Sequence, residues 1–328
     1  MRSVVFLAFN FVATIAVTFI NKLCFSRVSF GFPAALCDIH FVMTWLGVEA
    51  MRRAGGFVPI PAGAGAPSLR DPQFAAIVIV VGLVTPLNNT SLKLNSVGFY
   101  QLFKLLVTPV VVALEWALDG RTLSAPRAGA LGVVCACVFA SSRADLAFSP
   151  RGTACAALWV PLAALYKVQW GRVCKRLGCS TPALMHAVLP HALFVQLLLT
   201  PLVDPPGVLS FAWTRESAFW VGLSGVAAFA VNLSGFLVMA NLGAIAHVLL
   251  GQLKTAAVCV GAAFLFDARY PPAQIAAAAG AVGGIVAYTH VTLRENQPQG
   301  GDAHARGGDG AKGADVAGGG RSKERQSF

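Results

Sequence analysis

Two lysines lie inside hydrophobic segments that hold almost no other charge. Lys104 falls within the apolar stretch 97–118, and Lys254 falls within 243–266. A charged side chain at the centre of a bilayer costs roughly 2.5–3.5 kcal/mol on insertion scales. A chain that carries two such lysines is expected to turn both toward a polar cavity. The pattern is typical of a membrane protein that handles a small anion.

The composition indicates a polytopic membrane protein. The chain has 328 residues, of which 56% are hydrophobic and only 12% are charged, whereas soluble proteins are about 25% charged. The net charge of +11 lies mostly in short loops and in the C-terminal tail, which argues against nucleic acid as a partner. The eight cysteines are scattered and form no CxxC pair, and no metal-binding or cofactor motif is present.

Apolar runs of about 20 residues, the length that crosses roughly 30 Å of hydrocarbon, recur along the whole chain. Proline and glycine signals separate most of them. The first run ends in Asn21-Lys22 without a cleavage site, so we interpret it as a retained helix. The predicted spans are 3–24, 32–51, 73–91, 97–118, 126–142, 152–171, 182–203, 217–239, 244–266 and 272–292.

The spans divide into two equal halves near residue 145. An odd number of spans in each half forces the halves into opposite orientations, which is the inverted-repeat plan of many secondary transporters. The expected fold is therefore an all-α integral membrane protein of ten transmembrane helices, built as two inverted five-helix repeats over 1–145 and 146–293. Residues 294–328 are rich in glycine, alanine and charge, which predicts a disordered cytosolic tail.

The distribution of basic residues predicts the orientation. If the N-terminus is cytosolic, most lysines and arginines outside the spans lie on the cytosolic side, even when the tail is left out. This bias is the positive-inside pattern. It predicts that both termini are cytosolic.

Four motifs resemble one family, in the right order and at the right helix positions. The stretch NNTSLKLNSVGFYQLFKLLVTPVVVALE (88–115) is similar to the third-to-fourth helix signature of the nucleotide-sugar transporter and triose-phosphate translocator family. That family belongs to the drug/metabolite transporter superfamily. Residues 231–255 resemble its eighth-to-ninth helix signature, and 19–25 and 32–47 resemble its first two helices. The closest branch looks like the solute carrier 35 E-type and plant UDP-sugar transporters with a Lys-Thr motif.

The resemblance implies a secondary antiporter that exchanges a nucleotide sugar, expected to be a UDP-sugar, for a nucleoside monophosphate by alternating access. It also implies a Golgi or endoplasmic reticulum membrane. In the family, lysines equivalent to Lys104 and Lys254 lie near the substrate phosphates. Thr255 stands where similar triose-phosphate translocators have arginine. Without that second cation and its bidentate grip on a terminal phosphate, a nucleotide sugar is favoured over a free sugar phosphate.

Five further residues join Lys104, Lys254 and Thr255 as candidate substrate ligands. Each has a structural alternative. Tyr100 and Gln101 could stack on a base or bond a ribose, or pack between helices. Asn89 and Asn232 could bind substrate or join helices. Lys22 could guard the cavity mouth or extend to the interface, whereas Lys167, near the cytosolic end of its span, is left out of the chosen set.

Several alternatives remain open at this point. The two buried lysines could form structural ion pairs with Asp38 or Glu115. The chain could be a sugar-phosphate/phosphate translocator of a plastid-type membrane, although a span begins by residue 3 and leaves no room for a transit peptide. A membrane enzyme would need a catalytic acidic motif, which Asp38, Glu49 and Glu115 do not form. A non-transporting regulator and a homodimer also remain open.

Overall fold

Helices make up most of the part of the chain that the structure, a computed structural model, describes: residues 2–60, 67–120, 122–144, 149–265 and 270–295. No β-strand occurs in these ranges, so the all-α prediction is confirmed. The elements are α1 (Arg2–Ser26), α2 (Pro33–Arg53), α3 (Pro72–Leu94), α4 (Val97–Leu105), α5 (Val107–Asp119), α6 (Ala125–Ala144), α7 (Pro150–Leu177), α8 (Thr181–Val203), a 3₁₀ turn (Val208–Ser210), α9 (Arg215–Leu265) and α10 (Pro272–Glu295).

Local sequence signals set most helix ends. Proline occupies the first turn of α2, α3, α7 and α8, where its missing N–H leaves no intrahelical bond unmade. Side-chain oxygens accept hydrogen bonds from the first turns of α3, α4, α7 and α8: Asp71, Ser96, Ser149 and Ser180. Gly120 and Gly178 end α5 and α7 in the left-handed region, at φ of 64° and 57°, which glycine adopts without a steric penalty.

Seven helical segments in the described ranges are long and apolar enough to cross a membrane, so the chain is a multi-pass membrane protein. Seven of the ten predicted spans correspond to them. The predicted spans 126–142, 152–171 and 244–266 are also helical, but they fall outside this set. The seven segments are Val4–Ser26, Pro33–Arg53, Pro72–Leu94, Val97–Asp119, Thr181–Val203, Arg215–Gly235 and Pro272–Glu295. The predicted disordered tail, 294–328, lies almost wholly outside the described residues.

We predicted a non-helical connection between the spans 217–239 and 244–266. This prediction is wrong, because the residues between the two spans are helical. One helix, α9, runs from Arg215 to Leu265 without a non-helical connection at 240–244. The connecting residues contain one glycine and no proline, so the proline signals that mark other helix boundaries are missing here.

Contacts with α1 nevertheless show that α9 folds back on itself. The Asn10 amide nitrogen donates to Ser234 Oγ at 2.8 Å, and its oxygen accepts from the Lys254 ammonium. A straight helix would separate residues 234 and 254 by about 30 Å, too far for one asparagine to bridge. Ser234 and Lys254 therefore meet at Asn10, and the segments that carry them are called here the first arm (215–235) and the second arm (253–265).

Helix packing follows a repeated plan. α2 packs against α8, and α6 packs against α10. Both α1 and α2 pack against α9. In the same way, α3 packs against both α7 and α8. These contacts join helices that precede residue 145 to helices that follow it.

Charged contacts join the two halves at the face where α2 ends and α8 begins. Arg176 and Arg172 of α7 contact Asp71 and Asp119, and His186 Nε2 lies 2.9 Å from an oxygen of Glu49. The Arg176 guanidinium holds the pKa of Asp71 below its usual range. These contacts hold α7 and α8 against α2, α3 and α5.

The close packing of α6 on α10 generates a stability prediction. A Cβ at Gly284 would lie 2.8 Å from Val134 Cγ2 and 3.1 Å from the Ala130 carbonyl oxygen. Gly284→Val should therefore lower the melting temperature of the purified protein, with an overpacking penalty of about 1–3 kcal/mol.

The adjacent Gly283 is the matched control, because a Cβ there meets nothing within 4 Å. Gly283→Val makes the same change in helix propensity on the same helix, and it should leave the melting temperature close to that of the wild type. Equal melting temperatures for the two variants would contradict the described packing of α6 on α10.

Candidate functional site

A cavity of about 300 Å³ lies between α1, α2, α3, α4, α7, α8 and α9. This volume is at the lower end of the range for small-molecule pockets, roughly 300–1,000 Å³. Amide and hydroxyl side chains line much of its wall: Thr14, Thr18, Asn21, Thr44, Thr85, Asn88, Asn89 and Asn232. Polar groups within membrane helices usually face a watery space or one another, so the cavity is suited to a polar solute.

A break in the fourth predicted span places Lys104 at the cavity. The span 97–118 was predicted as one helix, but α4 ends at Leu105 and α5 begins at Val107. Pro109 explains the break, because it has no N–H for the carbonyl of Leu105 and its ring clashes with that carbonyl. Lys104 occupies the last turn of α4, where the negative end of the helix dipole favours a cation.

Lys104 has no hydrogen bond or salt bridge to any residue in the described ranges. Its ammonium lies 5.1 Å from the centroid of the Tyr100 ring, and both residues line the cavity. The proposed ion pair with Asp38 is not formed, since the Asp38 oxygens accept hydrogen bonds from Gln196 and Thr200 at 2.8 Å. Lys104 is therefore a partly buried cation, held by a ring face, at the wall of a polar cavity.

Lys254 and Thr255 are buried in the second arm of α9. The Lys254 ammonium donates to the side-chain oxygen of Asn10, and the Thr255 hydroxyl donates to the Gly251 carbonyl at 3.2 Å. Neither residue lines the cavity described here. Lys254 is nonetheless close enough to Lys104 for their charges to repel, so the two predicted lysines converge on one region.

Tyr100 and Gln101 are both buried on α4, one turn before Lys104. The Tyr100 ring lines the cavity and also packs near Trp159, with 6.2 Å between the ring centroids. The Gln101 amide nitrogen has no hydrogen-bond partner in the described part of the chain. A buried donor without a partner costs about 1–3 kcal/mol, so a ligand or water that accepted from Gln101 would stabilise this region.

Asn89 belongs to a buried hydrogen-bond network that connects α1, α2, α3 and the first arm of α9. Its oxygen accepts from Asn21 at 3.1 Å, and its nitrogen donates to Cys37 Sγ at 2.8 Å. The Asn21 oxygen in turn accepts from Ser224, whose hydroxyl lies 2.5 Å from His40 Nε2. The network satisfies its members internally and fixes one wall of the cavity.

Asn232, on the first arm of α9, also lines the cavity. Its amide nitrogen donates to the Ala228 carbonyl at 2.9 Å and to the Thr44 hydroxyl at 3.4 Å. The second of these bonds joins the first arm of α9 to α2. Both asparagines thus join helices, which is one of the two predicted alternatives, and both also line the cavity.

Lys22 lies away from the cavity wall. Its ammonium donates to the backbone carbonyls of Leu92, Lys93 and Asn95 at 2.9, 3.3 and 2.9 Å. These carbonyls belong to the C-terminal end of α3, where a cation also meets the negative end of the helix dipole. The contacts account for Lys22 as a helix cap that ties α1 to α3.

Two groups of lining residues were missed from the sequence. Asn10, Thr14, Thr18 and Asn21 form a polar stripe at intervals of four, four and three residues, which places them on one face of α1. Thr14, Thr18 and Asn21 line the cavity. The spacing was visible in the sequence, and a search for polar stripes in apolar helices would have found it.

The second missed group is aromatic. Tyr166 and Trp170 of α7 line the cavity opposite α1, and their rings meet edge to face with centroids 5.1 Å apart. Their spacing of four residues also predicts a shared helix face. Among the described residues, the cavity lining therefore combines one lysine, a set of polar side chains and two aromatic rings of α7.

Several plant transporters are similar in sequence to this chain. No protein-family model matches the chain. It is 33% identical over 293 residues to nucleotide-sugar uncharacterized transporter 2 of Arabidopsis thaliana, covering 88% of this chain and 72% of that protein. It is 28% identical over 296 residues to UDP-rhamnose/UDP-galactose transporter 1 of the same plant, covering 88% and 83%. UDP-xylose transporter 2, from the same source, is 25% identical over 296 residues, covering 89% and 82%.

A chain of known crystal structure shares the fold. It matches with a TM-score of 0.53 and 20% sequence identity, over 86% of this chain and 98% of that one. The membrane-length helices, the polar cavity and these relatives define a multi-pass membrane protein of the transporter class. Within that class, the chain belongs to the nucleotide-sugar transporter family.

Proposed function

We propose that this chain carries a nucleotide sugar, in the first place a UDP-sugar, across a membrane in exchange for a nucleoside monophosphate. The observation that carries the proposal is Lys104, a cation without a counter-ion in the described structure, at the wall of a polar cavity between membrane helices. The names of the relatives support the substrate class, since they include transporters for UDP-rhamnose, UDP-galactose and UDP-xylose.

In this proposal the lysines bind the phosphates. A diphosphate carries about two negative charges, and compact ammonium groups can attract it from several directions. Lys104 would offer its charge directly, while Lys254 would offer its charge from the second arm of α9. Tyr100 would pack against the base or ribose, and Gln101 would donate its unused amide hydrogen. Because residue 255 is threonine and not arginine, no guanidinium is present there to bind a terminal phosphate through two parallel hydrogen bonds.

The polar wall would recognise the sugar. Hydroxyl and amide groups on α1, α2, α3 and α9 match the hydrogen-bonding capacity of sugar hydroxyls. Asn89 and Asn232 are already bonded within the protein, so they would present fixed geometry rather than mobile groups. Such pre-organisation lowers the entropic cost of binding.

We also propose the ten-helix architecture of two inverted repeats, 1–145 and 146–293, with alternating access between them. The equivalent packing of α1 on α9 and of α3 on α7 supports this arrangement. The reversal within α9 supports counting its two arms as separate spans. Three charged contacts would then have to separate whenever the cavity opened at the face where α2 ends and α8 begins. They are Asp71–Arg176, Asp119–Arg172 and Glu49–His186.

We propose a Golgi or endoplasmic reticulum location with both termini in the cytosol, on the basis of the positive-inside pattern. A tag fused to the C-terminus should be digested when protease is added to sealed, right-side-out Golgi vesicles. A luminal glycosyltransferase in the same vesicles serves as the control and should stay intact. Protection of the tag would contradict the orientation.

Counter-flow exchange tests the transport function. Proteoliposomes preloaded with UMP or GMP should take up at least one of labelled UDP-galactose, UDP-rhamnose or UDP-xylose. Lys104→Ala and Lys254→Ala should each reduce exchange to near background, because each removes a cation from a desolvated anion. Thr255→Arg should weaken nucleotide-sugar exchange and admit inorganic phosphate.

Folding must be checked beside transport, since Lys254 also holds Asn10. The melting temperature of Lys254→Ala should fall, whereas that of Lys104→Ala should not, because Lys104 has no hydrogen bond or salt bridge within the described residues. Wild-type exchange rates in both alanine variants would show that the two charges are structural. Failure of the wild type to exchange any nucleotide sugar would refute the proposed function itself.

A further inference from the structure

Lys167 is exposed although it lies well inside α7. It follows Tyr166 and precedes Trp170, the two aromatic residues that line the cavity. It has no hydrogen bond or salt bridge within the described ranges. A cation at this position either faces lipid or faces space inside the protein, and the helix geometry distinguishes the two.

The outer face of α7 is apolar and points away from Lys167. Successive residues of a helix turn by about 100°. Leu158, of which 58% is exposed, is nine residues before Lys167 and therefore lies on the opposite side of the helix. Ala154 and Pro161, about 40° and 60° from Leu158 around the helix, are also exposed. Trp170 is only about 60° from Lys167, so the lysine is exposed toward the interior of the bundle.

Lys167 and Lys104 come from opposite halves of the chain and face a common region. Trp170, about 60° from Lys167 around α7, lines the same cavity as Lys104, and neither lysine has an acidic partner in the described part of the molecule. Two like charges without a counter-ion in a low-dielectric setting are unfavourable. An anion placed between them would convert the repulsion into two attractions.

We propose that Lys167 is a substrate-binding residue that holds the phosphates of the transported nucleotide together with Lys104. This inference rests on the proposed function and extends it to a third cation. In the described conformation Lys254 is bonded to Asn10, whereas Lys167 has no such partner. Lys167 is therefore the second-half cation that is available to an entering anion, with Tyr166 and Trp170 beside it for an aromatic base.

The proposal predicts opposite effects on stability and on binding. Lys167→Met keeps the length of the side chain and removes its charge. Without ligand, this variant should melt at a higher temperature than the wild type, because one of two repelling charges is gone. With UMP or GMP, its stabilisation by ligand should fall, and its KM for the transported nucleotide sugar should rise about tenfold, as expected for a lost hydrogen bond to a charged group.

Two further variants complete the experiment on the full-length protein. Lys175→Met removes an exposed lysine from the end of the same helix, outside the cavity, and should match the wild type in both measurements. Lys167→Arg keeps the charge and should recover part of the binding of UMP or GMP. A planar guanidinium does not fully replace a compact ammonium, so its recovery should be incomplete.

The outcomes separate this inference from the proposed function. If the wild type exchanges a nucleotide sugar and Lys167→Met keeps the wild-type KM, Lys167 does not bind the phosphates and the inference is overturned. If Lys167→Met melts at a lower temperature or fails to fold, Lys167 has a structural role and the inference is likewise overturned. If the wild type exchanges no nucleotide sugar, the proposed function fails first.

Discussion

An unpaired positive charge in a low-dielectric environment is the constraint on which the site depends. A charge costs several kcal/mol inside a bilayer unless water, a counter-ion or a ligand compensates it. In the described structure, Lys104 has only the face of the Tyr100 ring at 5.1 Å and the end of a short helix. The break caused by Pro109 supplies that helix end. The surrounding structure therefore stabilises a cation without neutralising it, which leaves the charge available to an anion.

Lys22, Asp204 and Asn89 have partners within the described residues, and their bonds hold neighbouring helices together. Lys22 caps α3, and Asp204 caps the start of α2 by accepting from the N–H groups of Ala34 and Ala35 at 2.9 and 2.8 Å. Burial raises the pKa of the Asp204 carboxyl. Asn89 joins three helices and the first arm of α9 through its neighbours. A rigid wall with a few free donors discriminates among solutes better than a flexible one.

Much of the fold could be predicted because breakers and apolar lengths are local signals. The prolines and glycines at 33, 120, 150 and 178 mark real helix ends. A division of α9 was predicted at 240–244, where the structure is helical; the reversal itself is visible only through the contacts of Asn10 with Ser234 and Lys254. The break at Leu106 could have been predicted from Pro109, but prolines are also common within intact membrane helices; Pro86 of α3 is an example.

Site residues could be predicted best where a charged side chain falls within an apolar stretch of sequence. Other residues of the site could be predicted less well. Lys104 and Lys254 stand out in apolar sequence, and the structure brings them near each other. Lys22 looked similar in sequence, yet its partners are backbone carbonyls that no side-chain pattern reveals. Lys167 was set aside because of its position near the end of a span. Its direction became clear only from the exposure of Leu158 and the cavity contacts of Trp170.

The central claim is that the cavity beside Lys104 binds phosphate. An electron cryomicroscopy map of the full chain with bound UMP, or with GMP if only that nucleotide supports exchange, tests it most directly. The account predicts density for the nucleotide inside the cavity, with a phosphate oxygen about 3 Å from the Lys104 ammonium. A nucleotide bound outside the cavity, or one bound inside with its phosphate turned away from Lys104, would contradict the account.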